Sequence, residues 1–253
     1  MGTDAGLNNI HVDPEDQWGL GTMNIFLGYQ TGMENLTGHH NTFMGFCAGT
    51  NTLGGDSEFP ELGSENIFIG SQAGFMNTHG HNNVYIGFNA GFHNTDGRRN
   101  IFLGHQAGLN ETGSDRLYIG NSDTDYPLIY GQFEIQYLEL NAHVTVAGTL
   151  TELSDLNMKT NIAQVTNSLD KIKQINGVSF QWKDQTMRKG SESESSIGFI
   201  AQEMETVFPA LVREDRMGRK SVNYSGMIPV LLEAIKEQQS QIEALEQRIA
   251  ELE

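Results

Sequence analysis

The sequence predicts a two-part chain. A mainly β N-terminal half, built of trimeric β-solenoid or β-roll repeats and a β neck, is followed by a small α+β domain ending in a long coiled-coil helix. Three observations predict this. An Asn-apolar-aromatic-apolar-Gly unit recurs with a basic period of 17 residues. Of the 29 glycines, 22 lie in residues 1–120. From Leu231 onward, apolar residues follow a heptad seam.

The unit occurs as Asn24–Gly28, Asn41–Gly45, Asn66–Gly70, Asn83–Gly87 and Asn100–Gly104, with a partial copy at Leu117–Gly120. The steps are 17, 25, 17 and 17 residues, the long one carrying eight extra residues around Asp56–Pro60. Each five-residue run reads as a short strand. Ile25 and Leu27 then point to one face and Phe26 to the other. Both faces are apolar, so one fills the coil interior and the other needs a partner, most simply identical chains around an axis. Stacked coils set like over like, with Phe26, Phe43, Phe68, Tyr85 and Phe102 as one ladder and the asparagines as another.

The pattern over residues 1–120 resembles the β-roll heads of trimeric autotransporter adhesins and the repeat stalks of phage fibres and bacterial surface proteins.

The net charge of -17 and the absence of lysine before Lys159 argue against a nucleic-acid partner. No apolar run approaches spanning length, so membrane insertion is not expected. Met1-Gly2-Thr3-Asp4 leads into no signal segment. The chain is then exported by another route, released by lysis or cut from something longer. Cys47, the single cysteine, excludes an intrachain disulfide and reads as a buried, inert thiol.

His39 and His81 share a repeat column and read as turn residues at solvated corners. No histidine pair stands at metal-ligand spacing, so no metal or other cofactor is expected. Asp56 and Asp96 read as turn acids. No paired carboxylates stand apart from the turns to suggest a glycan-cleaving site.

Residues 121–153 form the predicted neck. Pro127–Gly131 is a short apolar strand, and Leu138, Leu140, Ala142, Val144 and Val146 alternate with polar residues. A lone amphipathic strand of this kind needs companions, and three copies around an axis bury its stripe.

The domain at 154–253 opens with Ser154-Asp155-Leu156-Asn157-Met158-Lys159. A helix with a serine cap is expected at Ser168–Ile175, a strand at Gly177–Lys183, and a polar loop at Lys189–Ser196. A strand at Ile197–Ile200 leads into a helix at Ala201–Phe208. Leu211–Asp215 and Lys220–Tyr224 read as a hairpin, and the coiled-coil helix starts at about 225. Its seam runs Leu231, Ile235, Gln238, Ile242, Leu245, Ile249, Leu252. Isoleucine at a with leucine at d favours two strands, whereas the neck and repeats call for three.

Three motifs in order carry a second resemblance. Ser154-Asp155-x-x-x-Lys159-x-Asn161-Ile162, Gly198-Phe199-Ile200-Ala201-Gln202-Glu203 and Val222–Glu237 are similar to those of the endosialidase-type intramolecular chaperone domain, a self-cleaving serine peptidase family. That family occurs at the C-termini of phage tail spikes and fibres, bacterial surface proteins and a membrane-bound transcription factor.

The resemblance implies a homotrimer in which the domain drives assembly of the upstream β-structure, then cuts itself off between Leu153 and Ser154. It implies Ser154 as nucleophile and Lys159 as base, with Asp155, Asn157, Asn161, Gln202 and Glu203 as supporting motif residues. Family members often carry arginine where Asn157 stands and leucine where Met158 stands. The chain is expected to be the C-terminal part of a virion tail fibre or of a bacterial surface or extracellular protein. The competing expectation is a non-cleaving adhesive stalk that binds a surface glycan or receptor through repeat loops such as Gly54–Gly63.

Overall fold

The computed structural model describes residues 2–8, 21–183 and 195–252. The expected polar loop therefore falls mostly, over 189–194, outside the described residues. The chain divides into two compact units, Met1–Thr145 and Val146–Glu253.

The first unit is a β-solenoid. Strands β1 (Ile25–Leu27), β2 (Thr42–Met44), β3 (Ile67–Ile69), β4 (Val84–Ile86), β5 (Ile101–Leu103) and β6 (Arg116–Ile119) pair in parallel, in sequence order. The register sets Phe26 on Phe43, Phe43 on Phe68, Phe68 on Tyr85 and Tyr85 on Phe102. From Phe43 to Phe102 these rings are fully buried, and successive centroids lie 4.7, 4.8 and 4.7 Å apart. The aromatic column is thus the face that fills the coil. The alternate face, including Ile25, Leu27, Ile67 and Ile86, stands in solvent in the single chain.

The asparagine column forms the second predicted ladder. Each side-chain oxygen accepts from the backbone N–H of its counterpart one coil on: Asn24 from Asn41 at 2.8 Å, Asn41 from Asn66 at 2.9 Å, Asn66 from Asn83 at 3.1 Å, Asn83 from Asn100 at 2.9 Å. Each side-chain nitrogen donates to a glycine carbonyl that closes its own coil, such as Asn83 to Gly97 O at 2.8 Å. One side chain therefore fixes both the closure of a coil and its stacking on the next.

Asn83→Ala is expected to lower stability by about 3 kcal/mol, because it leaves Gly97 O and the Asn100 N–H buried without partners. Denaturant unfolding of the parent and the variant measures it.

Two glycine columns have different causes. A Cβ on Gly45, Gly70 or Gly87 would overlap backbone of the next coil, and a Cβ on Gly74 would lie 2.6 Å from the Phe68 ring. Gly74 is also left-handed, at φ +59. Unlike these, Gln30, Cys47, Gln72, Asn89 and Gln106 adopt left-handed φ of 50 to 58 without being glycine. Cys47 is buried, as expected, and its thiol sits 3.7 Å from Gln30 Oε1.

The corner histidines differ from expectation. His39 is half-buried with Nδ1 2.9 Å from Ser64 Oγ, and His81 is buried. Close stacking of the corner turns shields both from water. Burial and the neighbouring His40 push the His39 pKa down, which favours the neutral ring. Asp56 is a turn acid as expected, accepting the N–H groups of Glu58 and Phe59, each at 2.9 Å.

Beyond β6 the chain reverses. β7 (Ile129–Gln132) and β8 (Tyr137–Leu140) pair antiparallel and close the end of the same sheet. The alternating stretch expected to run to Val146 is strand only through Leu140. Val144, Val146, Leu150 and Leu153 are 60, 50, 78 and 82% exposed. Among the described residues no strand of the single chain pairs with this stripe, so it forms no ladder.

In the second unit, α1 spans Ser168–Ile172, β9 (Val178–Phe180) pairs antiparallel with β10 (Ser196–Gly198), and α2 spans Ala201–Val207. β11 (Val212–Glu214) and β12 (Lys220–Val222) form the expected hairpin, turning at Gly218 with φ +75. α3 runs Met227–Ala250. Its first turns bury Met227, Val230 and Ala234; Met227 and Val230 pack with Met204 and Phe208. The heptad face remains exposed, from Leu231 at 45% to Ile249 at 59%.

The serine cap of α1 is corrected. Asn167 holds the cap position at φ +56 without a side-chain bond, and Ser168 already lies in the first turn. The orphan N–H groups of Ser168 and Leu169 donate instead to the Glu237 carboxylate of α3, at 3.0 and 2.8 Å.

Candidate active site

Residues 151–164 are all exposed in the single chain. Between Ser154 and Lys159 lies one short 3-10 turn, Leu156–Met158. Asp155 caps it by accepting the Asn157 N–H at 2.8 Å, and the Asn157 side-chain amide donates to the same oxygen at 3.1 Å. The turn closes with the Lys159 N–H on Leu156 O at 3.1 Å. It folds the five-residue spacing back on itself, and Lys159 Nζ reaches Ser154 Oγ at 2.6 Å.

The chemistry available here is nucleophilic. A serine hydroxyl attacks a carbonyl once a base takes its proton, and a neutral lysine amine can do so. Asp155 and Asn157 shape the turn that brings the two groups together. Asn161 adopts left-handed φ at 53 and redirects the chain two residues after the lysine.

Gln202 and Glu203 lie elsewhere, in the first turn of α2. Among the described residues neither bonds to Ser154 or Lys159. Gln202 instead lines a cleft of about 620 Å³ with Phe180, Trp182, Phe199, Lys220 and Tyr224. A Cβ on Gly198 would overlap the Tyr224 hydroxyl, which accepts the Phe199 N–H at 3.1 Å. The glycine of the second motif is thus explained by the tyrosine of the third.

Sequence reasoning missed several polar partners. Ser225 Oγ donates to Glu152 Oε1 at 2.7 Å and lies 2.9 Å from Asn223 Oδ1. Gln164 donates to Glu233 at 2.9 Å. The third motif contained Ser225, Glu233 and Glu237, but nothing in its spacing reveals which residues they hold. No group of three or more His, Cys, Asp or Glu among the described residues could hold a metal ion, and no described helix is long and apolar enough to cross a membrane.

Residues 154–213 match the model of the family described as chaperone of endosialidase, Peptidase_S74. Among curated proteins, the long tail fiber protein Gp37 of Enterobacteria phage K3 is 34% identical over 101 residues, covering 38% of this chain and 8% of that protein. Gp37 of Enterobacteria phage T2 is 34% identical over 101 residues, covering 38% of this chain and 7% of that protein. Gp37 of Salmonella phage S16 is 29% identical over 133 residues, covering 46% and 18%. The chain therefore spans a small fraction of the length of these relatives.

Proposed function

We propose, proceeding from the chaperone-of-endosialidase domain at residues 154–213, that this chain is part of a trimeric virion tail fibre that assembles and then cleaves itself. Residues 154–253 drive assembly of three chains and are released by cutting Leu153–Ser154. The observation that carries the cleavage is the 2.6 Å approach of Lys159 Nζ to Ser154 Oγ, the hydroxyl of the residue directly after Leu153.

Lys159 takes the hydroxyl proton of Ser154, and Oγ attacks the carbonyl carbon of Leu153. The C–N bond to Ser154 breaks, its nitrogen takes a proton and becomes a free amine, and an ester joins Leu153 to Oγ. Water then adds to the ester carbonyl, leaving a carboxylate on Leu153 and returning a proton to Ser154 Oγ. A lysine base works in its neutral form, which removal from water favours. Assembly that covers residues 150–162 supplies that removal.

Three features support assembly around one axis: the outward apolar face of the solenoid, the exposed stripe Val144–Leu153, and the exposed α3 seam. Register is hard to find in repetitive strands. A domain that aligns three chains and then leaves makes the finished fibre kinetically trapped. Native mass spectrometry of the uncleavable Ser154→Ala chain is expected to show three full-length copies. A monomer or dimer would contradict the trimer.

A surface glycan or receptor remains the binding partner of this reading. The feature that favours it is the eight-residue insertion, where Phe59 stands 49% exposed beside Glu58 and Glu61.

A further inference from the structure

Among the described residues, the polar contacts that reach residues 152–169 from far along the sequence come from the turn heading α3 and from its first turns. Ser225 holds Glu152, two residues before Ser154, at 2.7 Å. Glu233 holds Gln164 at 2.9 Å, and Glu237 holds the N–H groups of Ser168 and Leu169 at 3.0 and 2.8 Å. The Leu153–Ser154 bond is thus bracketed, with one side tied to the turn before α3 and the other to α3 itself. The helix that carries these ties also carries the exposed heptad seam.

We propose that Ser225 is a positioning residue for self-cleavage. Through Glu152 it holds the acyl side of the Leu153–Ser154 bond against the head of α3, while Glu233 and Glu237 hold the leaving side. Packing of the α3 seam against its copies then fixes both sides of the bond at once, so cleavage follows assembly. This rests on the self-cleavage reading above.

The geometry separates this role from a merely structural one. Ser225 Oγ also lies beside Asn223 Oδ1, which accepts the Gly226 N–H at 3.0 Å. A residue that only shaped the start of α3 would act through Asn223 and be indifferent to Glu152. A positioning residue acts through Glu152, and the two side chains are then coupled.

The test is a double-mutant cycle on full-length chain, following release of residues 1–153 by intact mass over time. Ser225→Ala and Glu152→Ala are each expected to slow release about tenfold, as loss of a hydrogen bond to a charged group does. The double variant is expected to be no slower than either, and Ser225→Thr to stay within about threefold of the parent. Additive losses, or an unchanged rate in Ser225→Ala, overturn the proposal.

A second arm does not depend on cleavage. In a Ser154→Ala background, adding Ser225→Ala is expected to lower the backbone NMR order parameters of residues 151–155 while those of α3 stay unchanged. Unchanged order parameters at 151–155 overturn the tie, whereas a parent chain that never cleaves overturns the self-cleavage reading.

Discussion

Replacing Ser154 with alanine is expected to leave one 28.0 kDa chain where the parent is expected to give two products, residues 1–153 and 154–253. Alanine has no oxygen to attack the Leu153 carbonyl, so no ester forms and the rate falls by at least about a thousandfold. Lys159→Ala should do nearly the same, since the hydroxyl 2.6 Å away loses its proton acceptor. Lys159→Arg is expected to fail too, because a guanidinium stays protonated and accepts nothing.

All three side-chain changes lie on a turn that is exposed in the single chain and contributes nothing to either core, so each chain folds, and native mass checks its assembly. That separation makes the result readable: an uncleaved but assembled chain isolates the chemistry. Denaturing gels with intact mass provide the measurement. Cleavage of Ser154→Ala at the parental rate would rule out this nucleophile.

Phe68→Ala is expected to be the most damaging single change in the solenoid, at about 4 kcal/mol by denaturant unfolding. The ring is fully buried and stacks on Phe43 at 4.7 Å and on Tyr85 at 4.8 Å. It also lies over Gly74, where no side chain exists to fill the space it leaves. Each coil is stabilised by its neighbours, so a gap in the middle coil weakens two interfaces rather than one. Phe26 is partly exposed at the edge of the ladder. Phe26→Ala should therefore cost less than half as much. Equal losses at the two positions would mean the column does not carry the stacking.

What was legible in the sequence is what repeats. Asn24 through Asn100 and Phe26 through Phe102 mark one position per coil, and a column in sequence becomes a ladder in space because parallel strands stack in register. Left-handed Gln30, Cys47, Gln72, Asn89 and Gln106 were not legible, since no side chain there advertises a positive φ as glycine does. The extent of β8 was misjudged for a related reason. Alternation through Val146 records which residues seek burial and not whether a surface exists in one chain to provide it.

At the candidate site, Ser154 and Lys159 stood out only through the resemblance of three ordered motifs, since a serine five residues before a lysine is by itself an ordinary cap and a surface charge. Glu152 and Ser225 stand 73 residues apart, and a single hydrogen bond over that span leaves no periodic trace. The cap of α1 shows the same limit. Ser168 carried the local signal, yet Glu237, 69 residues on, takes the N–H groups. Two carboxylate oxygens arriving from a packed helix satisfy both donors, which one local hydroxyl could not.

Self-cleavage of the backbone between Leu153 and Ser154 is decided by the intact mass of the freshly purified parent chain. Two masses are expected, one for residues 1–153 and one for residues 154–253 with a free amine on Ser154. A single mass for the uncut 253-residue chain, unchanged on prolonged incubation of the assembled protein, would contradict it.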